Sequence, residues 1–328
     1  MATVLISALT LKNCDGPYLR LLRDAGHTIV YPDPWEAQLT APETAVALSG
    51  VDAVLAGSEP YSADVLAQAP RLKVIARNGV GYDAVDVAEA TRLGIAVNTT
   101  PGANHDCVAE HVFALLLSLA KNVVIAHKGL EQGRWLRHVT LPLRKQTLGI
   151  VGLGRIGKAV ALRAKAFGMN LIAYELQPDM SFVRAQEVEL VPLDTLFRRS
   201  DVVTLHAPLT PQTRHLINAQ SLALMKPTAL LVNSARGGLV DEAALEQALT
   251  SGRLAGAALD VFADEPLPPG HPFTRLENVV MTPHTAGTDL QSRQDMALLA
   301  AQGIVAVLNG QWPKELLVNP EAQERARK

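Results

Sequence analysis

One segment near the middle of the chain constrains the fold more than any other. In LGIVGLGRIGKAVALRAKAFGMNLIAYE, residues 148–175, an apolar strand pattern leads into Gly152, Gly154 and Gly157, and a helical pattern follows. In this context the first glycine permits a tight turn, the second lets a ligand approach the backbone, and the third lets the helix pack on the strand. The segment predicts a unit that binds the pyrophosphate of a dinucleotide at a helix N-terminus.

The residues around these glycines favour NAD as the dinucleotide. Arg155 adds a cation beside the predicted phosphate site, and Ile156 follows it. Glu175 ends the next strand pattern, where a carboxylate can accept hydrogen bonds from both hydroxyls of a ribose. The next residues, Leu176 and Gln177, include no Arg that would hold a 2′-phosphate. A ligand-free turn is the alternative for the glycines, but it does not account for the strand, helix and acid together.

Short β-branched runs alternate along the chain with segments of helical period. Before residue 100 the strand candidates are TVLISAL, HTIVYP, DAVLAGS, LKVIARN and IAVNTT. After the glycines they are NLIAYE, DVVTLHAP, ALLVNSAR, AGAALDVF and NVVMTPH. This alternation is typical of strand–helix–strand units and parallel sheets. We therefore predict an α/β fold with two sheets, of which the second is the larger.

The composition suits two domains and disfavours several classes of partner. A chain of 328 residues, 48% hydrophobic, can bury two ordinary cores. The 30 Lys and Arg nearly balance the 32 Asp and Glu, so neither nucleic acid nor an anionic membrane is an expected partner. Cys14 and Cys107 form no Cys-x-x-Cys pair, so we expect no disulfide framework and no metal site. Without a basic leader or a membrane-length apolar run, the chain is expected to be cytoplasmic.

Several motifs resemble those of one enzyme family. The region from HAPLTPQTRHLI through VNSARGGLVDE and LDVFADEPLP to VVMTPHTAG resembles the signature of the D-isomer specific 2-hydroxyacid dehydrogenases. The motifs RNGVGYDAVDV and TPGANHDCVAEH extend the resemblance over nearly the whole chain. It implies a Rossmann-type, doubly wound NAD domain of residues 101–290. This domain would be inserted into a smaller, flavodoxin-like α/β substrate domain of residues 1–100 plus 291–328, with a hinge near Pro101.

The resemblance assigns catalytic roles to three residues at predicted strand ends. Hydride transfer from C2 of a hydroxy acid requires a base at the hydroxyl and a fixed cation at the carboxylate. The family pattern gives the first role to His284 and the second to Arg236. It places Glu265 on the other ring nitrogen of His284, where the carboxylate orients the ring and favours its protonated form. In the reducing direction, protonated His284 is the acid.

The resemblance also supplies the remaining binding residues. Around the cofactor it implies contacts from Ala207, Pro208, Ser234, Ala235, Asp260 and Gly287. Of these, Asp260 is expected at the nicotinamide amide. In RNGVGYD the backbone of Val80 and Gly81, next to Asn78, is expected to bind the substrate carboxylate. Arg77 precedes this loop and can hold a second anionic group, although a surface ion pair explains this residue equally well.

The implied activity is NAD-dependent hydride transfer between nicotinamide and C2 of a small D-2-hydroxy acid or 2-oxo acid. The chain resembles both the 3-phosphoglycerate dehydrogenases and the hydroxypyruvate or glyoxylate reductases, so the substrate stays open. An NAD(H)-sensing corepressor-like binding protein and a formate- or phosphite-type dehydrogenase share the same plan and remain alternatives. Glu175 departs from the Asp that the family more often has, and we expect it to shift the ribose geometry while still suiting NAD.

The resemblance further implies a homodimer whose partner chain completes the substrate pocket. In HDCVAEHVFALLLSLAKN an apolar face repeats at helical spacing, and we expect it to exceed what one chain covers. The residues of this face are Val108, Val112, Leu115, Leu116 and Leu119. Trp135 is the expected interface anchor, and Arg137 or His138 would present a charge to the neighbouring substrate. The alternative is that the helix is core and Arg137 is solvated.

Overall fold

The computed structural model describes residues 1–326, which divide into two compact units. The first unit contains residues 1–104 and 288–326, and the second contains His105–Gly287. The first unit is therefore discontinuous in sequence, and the chain passes between the units twice. The boundaries predicted from the sequence lie a few residues from these positions, and the assignment of the first unit to substrate binding stays a prediction.

The elements are numbered along the chain. The strands are β1 Thr3–Ile6, β2 Thr28–Val30, β3 Ala53–Ala56, β4 Val74–Arg77, β5 Ala96–Asn98, β6 Thr147–Val151, β7 Asn170–Tyr174, β8 Glu189–Leu190, β9 Val202–Leu205, β10 Leu230–Asn233, β11 Gly256–Leu259 and β12 Val279–Met281. The helices are α1 Pro17–Asp24, α2 Ala41–Ala47, α3 Ala63–Ala67, α4 Val87–Arg92, α5 His105–Ala120, α6 Val123–Glu131, α7 Arg155–Ala166, α8 Met180–Gln186, α9 Leu193–Arg199, α10 Ala219–Leu224, α11 Glu242–Thr250 and α12 Leu290–Leu308.

The first unit is built on a parallel five-stranded sheet with the order β2-β1-β3-β4-β5. Successive residues of β1 face opposite sides: Val4 and Ile6 pack in the cluster that includes α1 and α12, whereas Leu5 packs in the other cluster. Both faces are thus covered, which explains why the strands read as continuous apolar runs. The strand order is that of flavodoxin-like folds.

The C-terminal segment is fastened to the edge of this sheet by one buried side chain. Asn319 is fully buried. Its Oδ1 accepts a hydrogen bond from the Val97 amide at 2.8 Å, and its Nδ2 donates to the Ile95 carbonyl at 3.0 Å. These bonds satisfy backbone groups at the outer edge of the sheet, where Leu317 also forms an antiparallel bridge with Asn98.

The second unit is built on a parallel seven-stranded sheet with the order β12-β11-β10-β9-β6-β7-β8. The chain winds one way from β6 to β8 and the other way from β9 to β12, as in Rossmann-type doubly wound sheets. The predicted α/β fold with a larger Rossmann-type part and a smaller flavodoxin-like part is confirmed. The crevice between the carboxyl ends of β6 and β9, where the winding reverses, is the place at which such sheets bind ligands.

Helix α5 lies in the core of the second unit. It packs against α7 and against the strands β10, β11 and β12. The five residues predicted to form an apolar face for a partner are each at most 8% exposed within a single chain, and all belong to one core cluster. The prediction that this face exceeds what one chain covers is wrong, because the sheet on one side and α7 on the other already bury it.

Two further structural features concern membranes and metals. No single described helix is long and apolar enough to cross a membrane. Helices α5 and α6 together have the length and composition of a membrane span, but the pair is bent by 58°. Within residues 1–326, no group of three or more His, Cys, Asp or Glu side chains is arranged to hold a metal ion.

Candidate active site

The glycine-rich turn joins β6 to α7 at the crevice of the second sheet. Gly152 has a φ of 94°, and a Cβ there would lie 2.8 Å from the carbonyl of His206. A Cβ on Gly157 would lie 2.1 Å from the Gly152 oxygen. At Gly154 no described atom lies within 4 Å of a Cβ position, so the backbone is open to a ligand. The three glycines serve turn, packing and access respectively, and this fits a dinucleotide.

Glu175 lies directly after β7 and is held against the glycine-rich turn. Its Oε2 accepts a hydrogen bond from the Leu153 amide at 2.8 Å, and its Oε1 accepts one from the Gln177 amide at 2.9 Å. Arg155, the first residue of α7, is exposed, and Ile156 is partly buried. A fixed carboxylate therefore stands beside the helix N-terminus, which suits a ribose next to a pyrophosphate.

The other side of the crevice is formed by the loop after β9. Ala207 is partly buried and Pro208 is exposed. Between the strand and these residues, the His206 ring nitrogen Nε2 lies 2.9 Å from Thr204 Oγ1. Burial of the ring lowers the pKa of His206 to about 3, which favours its neutral form. His206 was not among the residues predicted from the sequence, although a polar residue directly after a buried strand is a usable signal.

The loop after β10 carries Arg236 and is shaped by a residue that the sequence analysis missed. The Asn233 side chain, 1% exposed, accepts a hydrogen bond from the Ala235 amide at 3.0 Å and donates one to the Arg236 carbonyl at 2.8 Å. Arg236 Nη1 in turn donates to the Ala235 carbonyl at 2.6 Å. Ser234 is partly buried. Asn233 thus fixes the turn that presents the guanidinium.

Glu265 and His284 form a hydrogen-bonded pair. His284 Nδ1 donates to Glu265 Oε2 at 2.6 Å, and Glu265 Oε1 accepts the Phe262 amide at 2.9 Å. Burial raises the pKa of Glu265, but the hydrogen bond and charge of His284, helped by the Phe262 amide and the charge of Arg236, outweigh it, so the pKa is lowered overall. The ionised carboxylate holds Nδ1 of His284, and a role of Nε2 in proton transfer stays a prediction.

Asp260 holds the loop that carries His284. Its carboxylate, fully buried at the end of β11, accepts hydrogen bonds from Thr282 Oγ1 at 2.6 Å and from the Thr285 and Ala286 amides, both at 2.9 Å. Its carbonyl accepts the His284 amide at 2.8 Å. His284 has a φ of 53°, a conformation that costs a non-glycine residue about 1 kcal/mol. The predicted contact of Asp260 with nicotinamide, and that of the partly buried Gly287 with the cofactor, stay predictions.

The loop predicted to bind the substrate carboxylate belongs to the first unit and follows β4. Arg77 is 8% exposed, and its Nε donates to the Gly81 carbonyl at 2.9 Å. Asn78 Nδ2 donates to Thr10 Oγ1 at 3.2 Å, and Val80 is 36% exposed. The expectation that Arg77 forms an ion pair on the surface is wrong, because the residue is buried and its side chain is hydrogen-bonded to its own loop. The binding roles of these residues stay predictions.

The fold and the glycine-rich turn define a class: a dinucleotide-binding oxidoreductase. Residues 113–286 match the model described as D-isomer specific 2-hydroxyacid dehydrogenase, NAD binding domain. A glyoxylate reductase from Korarchaeum cryptofilum is 44% identical over 270 residues, which cover 80% of this chain and 81% of that protein. A D-3-phosphoglycerate dehydrogenase from Methanocaldococcus jannaschii is 44% identical over 260 residues, which cover 78% of this chain but 49% of that protein.

A solved structure agrees with these relatives. The D-lactate dehydrogenase from Aquifex aeolicus, crystallised with NAD and lactic acid, superposes with a TM-score of 0.83 at 27% identity and covers 96% of this chain and 98% of its own. The chain belongs to the D-isomer specific 2-hydroxyacid dehydrogenase family. It is an NAD-dependent enzyme, and the recognition, the cofactor and the enzyme class predicted from the sequence are confirmed.

Replacing the carboxylate of Glu265 tests its electrostatic role. The lowered pKa keeps Glu265 ionised in mildly acidic solution, and its charge is lost only as the pH falls through that pKa. We expect Glu265→Gln to retain some activity and to move the pH profile of 2-oxo acid reduction to lower pH, because a neutral amide no longer favours a protonated partner. Steady-state rates across pH, with the exposed Glu277→Gln as control, measure the shift. Superimposable profiles would remove Glu265 from this role.

Proposed function

We propose that the protein reduces a small 2-oxo acid, glyoxylate or hydroxypyruvate, to the corresponding 2-hydroxy acid with NADH. The observation that carries the proposal is the 2.6 Å hydrogen bond between Glu265 and His284, in the same unit as Arg236 and the glycine-rich turn. An acid–base group oriented by a carboxylate, a cation for the substrate carboxylate and a dinucleotide site are together what this reaction requires.

The residues of the second unit divide the work. The turn from Gly152 to Gly157 and the carboxylate of Glu175 hold the cofactor, which supplies a hydride for C2 of the substrate when it is bound. Arg236 binds the substrate carboxylate and orients the carbonyl. His284 donates the proton on Nε2 to the carbonyl oxygen, while Glu265 keeps the ring in position and stabilises its charge. In the oxidising direction the same nitrogen accepts the hydroxyl proton.

Two observations support an oxo acid without a phosphate group. Glyoxylate reductases from Korarchaeum cryptofilum and Thermofilum pendens are 44% and 45% identical to this chain, each over 80% of it. In addition, Arg77, the residue considered for a second anionic group, is buried and donates its Nε hydrogen bond to Gly81. We therefore place glyoxylate and hydroxypyruvate ahead of phosphorylated substrates.

Turnover of a panel of acids tests this function. Glyoxylate, hydroxypyruvate, 3-phosphohydroxypyruvate and formate are offered with NADH or NAD, as the direction requires, and the reaction is followed at the nicotinamide absorbance. We expect the two unphosphorylated oxo acids to give the highest kcat/KM. Preference for 3-phosphohydroxypyruvate would overturn the substrate choice, and turnover of formate alone or of no acid would favour the alternative enzyme or the NAD(H)-sensing binding protein.

The same assay with two variants separates the assigned roles. His284→Asn is expected to lower kcat by about 10²- to 10⁴-fold, because it removes the proton donor. Arg236→Ala is expected to raise KM and lower kcat, because its charge serves both the bound substrate and the transition state. The control is Arg198→Ala, at an exposed side chain on α9, which should leave both constants unchanged. A His284 variant with normal kcat would refute the assignment.

The proposed location is the cytoplasm, and the proposed substrate is small and anionic. Neither Cys14 nor Cys107 forms a disulfide in the part of the chain that the structure describes, which suits a reducing compartment. The formal net charge of −2 gives no general attraction to nucleic acid or to a membrane surface.

The protein is further proposed to act as a homodimer. Side chains exposed on α6 and in the segment after it support an interface, although the predicted face of α5 is buried. The apolar residues of this 123–141 surface are Val123, Leu130, Trp135, Val139 and Leu141, with exposed fractions of 52, 56, 75, 103 and 41%. Trp135 is the proposed anchor, and the exposed Arg137 and His138 follow it.

Light scattering tests the dimer, and kinetics test the shared pocket. Trp135→Glu is expected to shift the protein from dimer to monomer, because a charge in the centre of an apolar interface is desolvated. Val46→Glu, at a valine 76% exposed in the first unit, is the matched control and should leave the mass unchanged. Arg137→Ala should raise KM for the preferred oxo acid. A wild-type protein that is fully active as a monomer would refute the proposed dimer. An unchanged KM in the Arg137 variant would refute the proposed shared pocket.

A further inference from the structure

Helix α5 contacts the loop that carries His284 at two points. His111 Nε2 lies 2.9 Å from Thr282 Oγ1, before His284 in the loop, and Cys107 Sγ donates to the Ala286 carbonyl at 3.1 Å, after it. Cys107 and His111 are four residues apart and therefore share one face of the helix. The loop is thus held from the side of α5 at both of its ends, by residues to which the proposed function gives no role.

The single hydroxyl hydrogen of Thr282 determines which groups donate in the contacts among His111, Thr282 and Asp260. Thr282 has one hydroxyl hydrogen, and it is donated to Asp260 Oδ1 at 2.6 Å. The contact between His111 Nε2 and the same hydroxyl oxygen therefore requires the hydrogen to be on Nε2. His111 donates to Thr282, and Thr282 donates to Asp260. His111 Nε2 also lies 3.5 Å from Asp260 Oδ1, so the N–H edge of the ring faces the buried carboxylate.

This chain of bonds ends on the groups that set the conformation of His284. The Asp260 carboxylate accepts the amides of Thr285 and Ala286, and its carbonyl accepts the amide of His284. If Thr282 loses its donor, its oxygen is free to turn away from Asp260, and one anchor of a loop with a positive φ at His284 is weakened. The carboxylate and amides remain, so the loop would loosen rather than unfold.

We propose that His111 is a positioning residue, which acts through Thr282 and Asp260 to hold His284 in its reactive orientation. The inference rests on the proposed role of His284 as proton donor. Because His111 touches neither Glu265 nor the glycine-rich turn in the described contacts, its loss should affect the proton-transfer geometry more than cofactor binding.

Kinetics of a small set of variants test this role once the wild-type protein has been shown to reduce an oxo acid. We expect His111→Leu to lower kcat about tenfold, since small misplacements of reacting groups have effects of this size or larger. The dissociation constant of NADH, measured by fluorescence, should change less than about threefold, because the glycine-rich turn and Glu175, which are proposed to hold the pyrophosphate and ribose, lie outside this chain of bonds. His111→Gln keeps an N–H donor at similar reach and should restore most of the rate.

A double-mutant cycle distinguishes positioning from general loosening. Thr282→Val should lower kcat as much as His111→Leu, and the double variant should lose little more than either single variant, because one chain of bonds is broken in each case. Thr282→Ser keeps the hydroxyl and should retain most activity. Glu110→Gln, the neighbouring position on α5 that pairs with Arg163 instead, is the control and should leave kcat unchanged.

Several outcomes would overturn the inference without touching the proposed function. One is a normal kcat in His111→Leu when the wild type is active. Another is a kcat in His111→Gln as low as that in His111→Leu. A third is a loss of kcat in the double variant that equals the sum of the two single losses in free energy. If His111→Leu does not fold, His111→Asn, which shortens the reach of the donor, replaces it in the comparison with His111→Gln. A wild type that reduces none of the oxo acids would instead refute the proposed function.

Discussion

The hydrogen bonds to the buried carboxylate of Asp260 are the interactions on which the loop that carries His284 depends. A charged group with no exposed surface is tolerated only when hydrogen bonds replace its lost hydration. Here the hydrogen-bond donors are Thr282, Thr285 and Ala286. Because all three lie in one loop, their hydrogen bonds hold this loop around the carboxylate. His284 lies inside this loop and takes a backbone conformation that an unsupported histidine rarely adopts.

The remaining parts of the site follow from the parallel sheet. The glycine-rich turn, Arg236 and Asp260 follow or end the strands β6, β10 and β11, whose carboxyl ends lie on one edge of the sheet. The sheet therefore gathers groups that are more than a hundred residues apart in the chain, as Gly152 and Asp260 are. Glu265 and His284 are brought together by their own hydrogen bond and not by the sheet alone. The pKa of Glu265 is lowered overall, because this bond, the Phe262 amide and the charge of Arg236 together outweigh the cost of burying the carboxylate.

The sequence predicted those parts whose signal is local. A glycine pattern between a strand and a helix, and polar residues after apolar runs, identify the cofactor turn and the strand ends without knowledge of the sheet. His111 and Thr282 are separated by 171 positions, so no periodicity or spacing connects them. Asn233 acts through the backbone of its own turn and was hidden by the more conspicuous Arg236 beside it.

The two errors have a common cause. A helix packed between a sheet and another helix is apolar on most sides, and the sequence of α5 does not tell whether the second apolar side meets α7 or a partner chain. Arg77 was considered for the surface because it is charged, yet its Nε has a carbonyl acceptor inside its own loop, and this makes burial tolerable. In both cases the burial of the residues depends on which groups they contact in the folded chain, and sequence patterns do not contain this information.

A crystal structure of the protein with NADH and oxamate, an unreactive analogue of a 2-oxo acid, tests most directly that His284 donates the proton and Arg236 holds the carboxylate. We predict that His284 Nε2 lies within hydrogen-bond distance of the analogue's amide carbonyl oxygen, with Nδ1 still bonded to Glu265, and that the guanidinium of Arg236 contacts the carboxylate. An analogue bound with that oxygen turned away from His284, or with its carboxylate away from Arg236, would contradict the assignment.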